Sequence, residues 1–500
     1  DGQITVLVSY KPTATISSIS PQIAELDSST VSFSGSGSDS DGTISEYKWT
    51  SSIDGDLSTS ASFSTTDLSF GNHTITFRVK DNDGVWSDNV TSWVDVRKNP
   101  EWSYETNEAI FHTDISADGE YIFVGDYDYA YLFDKDSSTP IWNYENEGMS
   151  TAFRSVSISA NGDFMVAGNN DYKVYFFNKN SSTPVWIYTT GGNVHSVAIS
   201  SDGNYIVAGS DDDYVYFFHR DNSTPLWTYE ASNNVWRVSI SADGEYITAG
   251  SEDGKVYLFD KDSSTPIWEY SVSDKIKSVD ISSDGEHIAI GAGNDKAYLF
   301  KRNSNEPLWS YTTGDSDVFV SISANGEYIA VGSGLSDADE NVFIFNKGSG
   351  NPLWSFATDA RISSISISED GKFFVASSYD DKAYFFDTTS NSPLWTYDSG
   401  LDLYSASISA DGTHISVGGA GGQLYLFIED SIVRPSIIPY GPRSGTDTLL
   451  NTNLSWFPGS DDITNLTFDV YLSWVKNDVL NNNSAALVAD DITNYTYYAT

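Results

Sequence analysis

The chain has 500 residues, enough for about three or four domains of ordinary size. Its 70 acidic and 26 basic residues give a net charge of −44, which repels nucleic acid and anionic lipid, so we expect neither as a main partner. The absence of cysteine excludes disulfides, thiolate metal sites and a cysteine nucleophile. No apolar run reaches the length of a membrane-spanning helix, so the sequence predicts no transmembrane segment.

The N-terminal part of the chain predicts sandwich modules. Residues 1–10 contain the apolar strand ITVLV, which we interpret as the last strand of a preceding module. Residues 11–98 are rich in Ser, Thr and Gly, and alternating strands such as HTITFRVKD are separated by turn signals about every ten residues. That spacing is typical of a β-sandwich of this length.

Residues 100–430 repeat one pattern. The sequence FDKDSSTPIW occurs at 133–142 and again at 259–268. Asp-Gly or Asn-Gly pairs recur in every repeat, and each is followed by a short apolar run and then by an aromatic strand such as YLF or YFF. Tryptophans followed by x-Tyr or x-Phe recur 40–45 residues apart, at positions 102, 142, 186, 227, 268, 309, 354 and 395.

Each repeat predicts four short antiparallel strands, because alternating residues broken by Asp-Gly turns are a strong hairpin signal. Four strands in about 41 residues are typical of a propeller blade. We therefore predict an all-β protein, an eight-bladed β-propeller flanked by immunoglobulin-like β-sandwich modules. The Trp strand at 101–105 precedes its blade and the aromatic strand at 423–428 lacks a Trp strand, so we expect these two to pair and close the ring.

Residues 431–500 begin with a proline-containing linker, SIVRPSIIPYGP, and continue with sandwich-like strands. They are too short to complete a sandwich, so we predict a linker and a truncated module. Since both ends of the chain resemble parts of modules, we expect it to be a piece of a longer protein.

These motifs resemble known families. The repeat D-x-x-(S/T)-x-P-(I/L/V)-W is similar to the quinoprotein-dehydrogenase-like (PQQ-like) repeat, and the hairpin SxDGxxI resembles WD-type and YVTN-type propellers. Residues 11–98 resemble a polycystic-kidney-disease (PKD) domain through SGSGSDSDGTISEYKW, although YKWTSSIDG stands where that family has WDFGDG. The segment after 440 resembles a fibronectin-type-III module. The combination implies a large prokaryotic surface protein, with an archaeal source as one option.

The resemblance to quinoproteins implies a cofactor that the residues do not favour. That family holds its quinone with a disulfide of neighbouring cysteines, a calcium ion and a catalytic carboxylate. This chain has no cysteine, and Asp114 and Asp280 are the only acids in the predicted inner strands. There is no G-x-S-x-G motif, and the six histidines are scattered. We therefore predict that these residues form no enzyme.

Short Asp-rich turns are candidate Ca²⁺ sites, because carboxylates two positions apart in a turn can converge on one ion. None has EF-hand spacing, so two interpretations stay open: Asx turns on a solvated acidic face, which we favour, and calcium ligation. The candidate ligands are Asp39, Asp41, Asp81, Asp83, Asp337 and Asp339.

One position in each repeat varies while its neighbours repeat as Ser, Val and Ile. It lies four residues before the invariant isoleucine of the inner strand, where that strand enters the channel, on the face of the acidic turns. Two interpretations stay open, a solvent-exposed position free to vary and a binding site. The occupants are Phe111, Arg154, His195, Trp236, Lys277, Val318, Ser363 and Tyr404.

As a binding site, this mixed ring predicts a polar ligand, with Trp236 and Tyr404 as stacking platforms and Arg154, His195 and Lys277 as donors. We expect a non-enzymatic extracellular or cell-surface protein of the adhesion type, whose propeller binds a protein or glycan. One alternative is the substrate-capture region of a secreted enzyme with its catalytic domain elsewhere. Another is a cofactor-binding propeller. The oligomeric state is not indicated by the sequence.

Overall fold

The computed structural model describes residues 10–146, 151–314, 316–334 and 341–429. These residues are strands and turns, and their one helical segment is a short 3₁₀ turn at Ala420–Gly422. None of the described helical structure is long and apolar enough to cross a membrane. The predicted all-β class is confirmed. The candidate calcium ligands Asp337 and Asp339 and the segment 431–500 lie outside the described residues.

Two sheets form the N-terminal unit. One has the order β1-β3-β6 and the other the order β2-β8-β7-β4-β5. The side chains of Phe33, Trp49 and Phe77 are buried between them, and the Trp49 indole N–H donates to the Ser60 carbonyl at 3.0 Å. The strands are β1 (Thr13–Ser20), β2 (Ile23–Glu25), β3 (Val31–Ser38), β4 (Ile44–Ser51), β5 (Gly55–Ser58), β6 (Ser62–Thr65), β7 (Gly71–Asp81) and β8 (Val90–Arg97).

The rest of the described chain forms eight four-stranded antiparallel sheets, here called blades. Consecutive inner strands contact each other, and the last contacts the first, so the blades form a closed ring around a channel. The innermost strands are β10 (His112–Ile115), β14 (Phe153–Ile158), β18 (Val194–Ile199), β22 (Val235–Ile240), β26 (Ile276–Ile281), β30 (Val318–Ile322), β34 (Ile362–Ile367) and β38 (Leu403–Ile408).

The second strand of each blade is buried along most of its length. These strands are β11 (Tyr121–Gly125), β15 (Phe164–Asn169), β19 (Tyr205–Ser210), β23 (Tyr246–Ser251), β27 (His287–Ala292), β31 (Tyr328–Ser333), β35 (Phe373–Ser378) and β39 (His414–Gly419). The third, aromatic strands are β12 (Tyr129–Asp134), β16 (Lys173–Asn178), β20 (Tyr214–His219), β24 (Lys255–Asp260), β28 (Lys296–Lys301), β32 (Asn341–Asn346), β36 (Lys382–Asp387) and β40 (Gln423–Ile428).

The outer strands are short and carry the repeated tryptophans. They are β9 (Trp102–Glu105), β13 (Trp142–Glu145), β17 (Ser181–Thr189), β21 (Trp227–Glu230), β25 (Trp268–Ser271), β29 (Trp309–Thr312), β33 (Trp354–Ala357) and β37 (Trp395–Asp398). Strand β9 pairs antiparallel with β40, with Trp102 opposite Leu426. The predicted closure of the ring by the two ends of the repeat region is therefore confirmed.

The repeated tryptophans join neighbouring blades, as predicted. The indole N–H of Trp227 donates to the Lys261 carbonyl of the next blade at 2.7 Å, and its ring lies 5.3 Å from that of Phe259. Equivalent bonds link Trp142 to Lys179 and Trp268 to Arg302. The large indole ring fills the gap between two sheets, and its N–H has a hydrogen-bond acceptor in the next blade, so no unpaired donor is left.

Candidate functional site at the channel mouth

The variable residue predicted from the repeats lies at a bulge. In six inner strands the pairing with the second strand skips one residue, so two residues oppose one. The skipped residues are Arg154, His195, Trp236, Lys277, Ser363 and Tyr404. Phe111 immediately precedes β10, and its N–H donates to Gly125 O at 3.0 Å. We call this end of the channel the mouth.

The placement of Val318 in this ring was wrong. Strand β30 pairs with β31 without a skipped residue, so Val318 lies opposite Ser333 and Phe319 opposite Gly332. Val318 is fully buried between blades, at the position that Val194 and Val235 occupy in their own strands. Counting back from the isoleucine fails here because this strand lacks the extra residue of the bulge.

On one side of the mouth, side chains from four successive blades form a continuous group, the first arc. The rings of Phe111 and Tyr404 are stacked with centroids 6.3 Å apart, and Arg154 lies 4.7 Å above the Phe111 ring. The ring of Tyr379 lies 5.4 Å from that of Tyr404, and the Arg361 guanidinium lies 3.8 Å from the centre of the Tyr379 ring. The arc is therefore a row of three aromatic rings with a guanidinium group stacked on the ring at each end.

On the other side, a second arc centres on Trp236. The ring of His195 lies 5.7 Å from the Trp236 ring, and the ammonium groups of Lys275 and Lys277 lie 5.5 and 5.4 Å from it. The indole nitrogen of Trp236 is buried and has no hydrogen-bond partner among the described residues. An unpaired buried donor is unfavourable, and in a native structure it calls for an explanation.

Acidic residues surround the second arc. His195 Nε2 lies 2.8 Å from Asp211 Oδ1, and Lys277 Nζ lies 2.8 Å from Asp317 Oδ1. Other acids of this face accept hydrogen bonds from residues of their own blade. Asp212, in the same turn as Asp211, accepts the Tyr216 hydroxyl at 2.6 Å. The acidic rim is thus partly structural and partly a set of partners for the cations of the mouth.

Below the bulges, a layer of polar side chains bonds each inner strand to the next. Ser155 Oγ accepts the N–H of Val197 at 3.0 Å, and Ser196 Oγ accepts that of Val238 at 3.1 Å. His112 Nδ1 does the same for Val156 at 3.3 Å. Burial, together with the charge of Arg237, lowers the pKa of His112 to about 4. The imidazole is therefore neutral near pH 7.

Asp114 and Asp280 occupy a deeper layer and are also bonded to the backbone. Asp280 accepts the N–H of Ile322 at 3.0 Å and that of Ile281 at 2.9 Å, besides the Ser239 hydroxyl at 3.0 Å. Asp114 accepts Ile158 N–H at 3.0 Å in the same way. Burial raises the pKa of both carboxyls, that of Asp280 to about 6.

The hydrogen bonds of Asp114 and Asp280 bear on whether the channel could hold a quinone cofactor. The two acids are engaged by the strands on either side, and the other side chains at their level are serines and an alanine. No group of three or more metal-ligating side chains occurs in the described part of the chain. The residues present do not fit the cofactor of the quinoprotein family, and we derive no step through it.

The opposite end of the channel, the turn end, is uniform. Its backbone groups form a hydrogen-bonded ring, in which the N–H of Ala117 donates to Ala160 O, that of Ala160 to Ser201 O and that of Ala410 to Ala117 O. A cavity of about 150 Å³ lies here, lined by Asp114, Glu369, isoleucines and small residues. Asp114 and Glu369 are the charged residues of this lining, and Asp114 accepts the N–H of Ile158.

The candidate calcium ligands of the N-terminal unit lie near one another. Tyr10 N–H donates to Asp41 Oδ2 at 3.1 Å, and Asp81 Oδ1 accepts the N–H groups of Asp83 and Val85. Asp81 is 1% exposed, and its Oδ2 has no partner among the described residues. One oxygen of Asp39 is likewise buried and unpartnered. Burial and the neighbouring Asp41 raise the pKa of Asp39.

The sequence interpretation missed four contributors to the mouth: Tyr379, Arg361, Lys275 and Arg237. The first three lie outside the counted position. Arg237 had a signal in the repeats, because it stands where Ser155, Ser196, Ser278 and Ser405 stand in other blades.

Comparisons with known proteins agree with the propeller. A family model described as outer membrane protein assembly factor BamB (PQQ_2) matches residues 149–283, and the WD domain, G-beta repeat, matches residues 350–387. The crystal structure of the computationally designed Ika8 protein is similar, with a TM-score of 0.55 and 14% identity, over 65% of this chain and 98% of that chain. At that identity the likeness shows the fold alone. No curated protein matches the sequence.

Proposed function

We propose that the protein is a non-enzymatic binding or scaffold protein of the adhesion type, with the channel mouth as its ligand site. The observation that carries the proposal is the pair of arcs at one end of the channel, in which aromatic faces and cations contact one another within each arc and seven blades contribute in all. Aromatic rings stack on sugar or peptide groups, and the cations supply hydrogen-bond donors. The ligand class that fits is a polar glycan or peptide.

The remaining expectations belong to the same proposal. We infer an extracellular or cell-surface location, with residues 11–98 as a PKD-type spacer and a fibronectin-type-III-like module after 440. The two sheets around Trp49 and the resemblance of SGSGSDSDGTISEYKW support the PKD assignment. An enzyme elsewhere in a longer chain would use the same mouth for substrate capture.

Replacing Trp236 and Tyr404 together by alanine tests the site. We expect the variant to lose at least tenfold in affinity for whatever glycan or cell surface the unmodified protein binds in a screen. Trp93→Ala is the matched control, because this tryptophan is 44% exposed and lies in the N-terminal unit. Unchanged binding by the double variant, with loss in Trp93→Ala, would move the function to the sandwich.

We also propose that Ca²⁺ binds beside Asp39 and Asp81, because each has one buried carboxylate oxygen that lacks a partner among the described residues. Calorimetric titration of the chelator-treated protein at high ionic strength is expected to show one saturable site. Asp81→Asn is expected to remove it, whereas Asp337→Asn tests the third candidate turn separately. A flat titration of the unmodified protein contradicts the proposal.

A further inference from the structure

Arg237 departs from a bonding pattern that the neighbouring blades keep. The residue at its position in four other inner strands accepts the N–H of the following strand: Ser155 that of Val197, Ser196 that of Val238, Ser278 that of Val320, and Ser405 that of Thr113. A guanidinium carries five donors and no acceptor. Arginine at this position therefore gives up a bond that both neighbouring blades make, as Phe319 does in another blade, at a cost in stability.

No ion pair is formed by Arg237 among the described residues. Its Nη1 donates to the Trp236 carbonyl at 2.9 Å, and no carboxylate among the described residues lies within ion-pair distance. The nearby cations differ, since Lys277 pairs with Asp317 and His195 with Asp211. Burial lowers the pKa of Arg237 from its ordinary value, and the charge of Asp317, which is already paired with Lys277, offsets part of this shift. A desolvated cation without an ion pair of its own is costly, and such groups concentrate at functional sites.

The guanidinium lies at the base of the mouth, 2.9 Å from the Trp236 carbonyl of its own strand. Arg237 belongs to the fourth inner strand, yet its charge reaches His112 on the first and contributes to the lowered pKa of that imidazole. Directly above it, Trp236 presents a second unpaired donor, its buried indole N–H. The arginines of the first arc, Arg154 and Arg361, stack on rings and have no ion-pair partner among the described residues either.

We propose that the mouth binds an oligosaccharide through one acidic sugar, with the carboxylate of that sugar received by Arg237 and its ring stacked on the aromatic faces of the arcs. This rests on the proposed function and names its ligand class. A guanidinium binds a carboxylate in a planar, bidentate geometry. The net charge of −44 repels a polyanion, so a single acidic sugar within a neutral chain is the form that can approach.

The geometry favours a saccharide over a peptide. Peptides that bind to sheet edges use free backbone N–H groups. In this channel, side chains of neighbouring strands already occupy such groups, including those of Val197, Val238 and Ile322. An acidic peptide is therefore the competing ligand that the experiment must exclude.

The test is binding to matched pairs of oligosaccharides. Each pair contains a neutral oligosaccharide bearing one terminal uronic acid and the same molecule with its carboxyl reduced to an alcohol. A tetraglutamate peptide and a singly sulfated oligosaccharide complete the panel. The unmodified protein is expected to prefer at least one uronic acid form over its reduced partner by tenfold or more. Arg237→Gln is expected to remove that preference.

Lys372→Gln is the control for loss of one positive charge, because Lys372 is well exposed and lies beside the Asp370 turn, away from the mouth. Far-ultraviolet circular dichroism verifies that each variant is folded. Equal affinity for both members of every pair, or a preference that survives in Arg237→Gln, overturns the inference. So does absence of binding to all saccharides, or binding to tetraglutamate or the sulfated form alone.

Failure of the proposed function gives a different result. If Trp236→Ala/Tyr404→Ala binds a uronic acid form as well as the unmodified protein does, the mouth is not the site. If that double variant loses binding while reduced and acidic forms bind equally, the mouth is the site and only the acidic ligand class is wrong.

Discussion

The two ends of the channel are built from the same eight inner strands and yet follow different rules. At the turn end each strand finishes in an isoleucine, and the backbone groups beyond it bond around the ring. At the mouth, six strands carry an extra, bulged residue that lies outside the pairing with the second strand. Most residues within the pairing repeat because every blade meets similar neighbours. A residue outside it is free to differ, and binding specificity can be placed there at low cost to the fold.

The largest difference between the ends is expected in strand β18, which has His195 at the mouth and Ile199 at the turn end. Ile199 is 8% exposed and packs between blades, so Ile199→Ala is expected to lower the free energy of unfolding by about 2–4 kcal/mol. His195→Ala is expected to lower it by less than about 1 kcal/mol. Urea titrations of the two variants measure both values. Equal losses would mean that the mouth is as tightly packed as the turn end.

The contrast also explains which features the sequence could predict. The strands, the turns, the inter-blade tryptophans and the pairing of β9 with β40 follow from patterns that recur in every repeat. The bulges do not, because a bulge depends on the register between two strands and not on residue type. For this reason Val318 was assigned to the mouth although it is buried. Arg237 could have been found from the repeats, because it replaces a serine that recurs in other blades.

The contacts between the arcs needed the structure as well. Arg361 and Tyr379 lie on either side of the counted position, and Tyr379 follows β35 in the chain. They reach Tyr404 because the second strand of one blade ends beside the inner strand of the next. Sequence spacing alone does not show which turn meets which strand.

The middle of the channel is expected to respond to pH through Asp280. Its pKa of about 6 in the folded protein lies above the unfolded value of 3.8, so the folded state binds the proton more tightly. The resulting stabilisation is full below about pH 4 and is lost as the pH rises through 6. The unmodified protein should therefore lose about 1–3 kcal/mol more than Asp280→Asn between pH 4 and pH 7.

Urea titrations of both proteins at the two pH values give this double difference, which cancels the contributions of all other groups. A pH dependence that is the same in both proteins would show that the backbone N–H bonds outweigh the burial of Asp280. Asp114→Asn is a parallel variant, since burial raises the pKa of Asp114 too.

A smaller effect, a gain in stability, is expected when Arg237 is replaced by the serine of the other blades. Arg237→Ser removes a desolvated charge and restores the hydroxyl acceptor of the other blades, so stability should rise by about 1 kcal/mol. Ser196→Ala, which removes that acceptor from the preceding blade, should lower stability by a similar amount. Thermal unfolding of both variants under one condition checks the pair. Destabilisation by Arg237→Ser would show that the guanidinium contributes to the fold.

The smallest expected effect is the change in the pKa of His112 when the positive charge of Arg237 is removed. Because Arg237 and burial together hold the pKa of His112 near 4, Arg237→Ser is expected to raise this pKa while leaving it below the ordinary value of 6.5. A depressed histidine pKa contributes stability above pH 6.5 that is lost as the pH falls through 4, so the variant should also be less sensitive to acid. An NMR titration of ¹³C-labelled histidine measures the pKa, and His112→Gln assigns the signal. Lys372→Gln should leave it unchanged. An unchanged pKa in Arg237→Ser would place the guanidinium away from His112, and the carboxylate receptor inferred for the channel would lose its geometric basis.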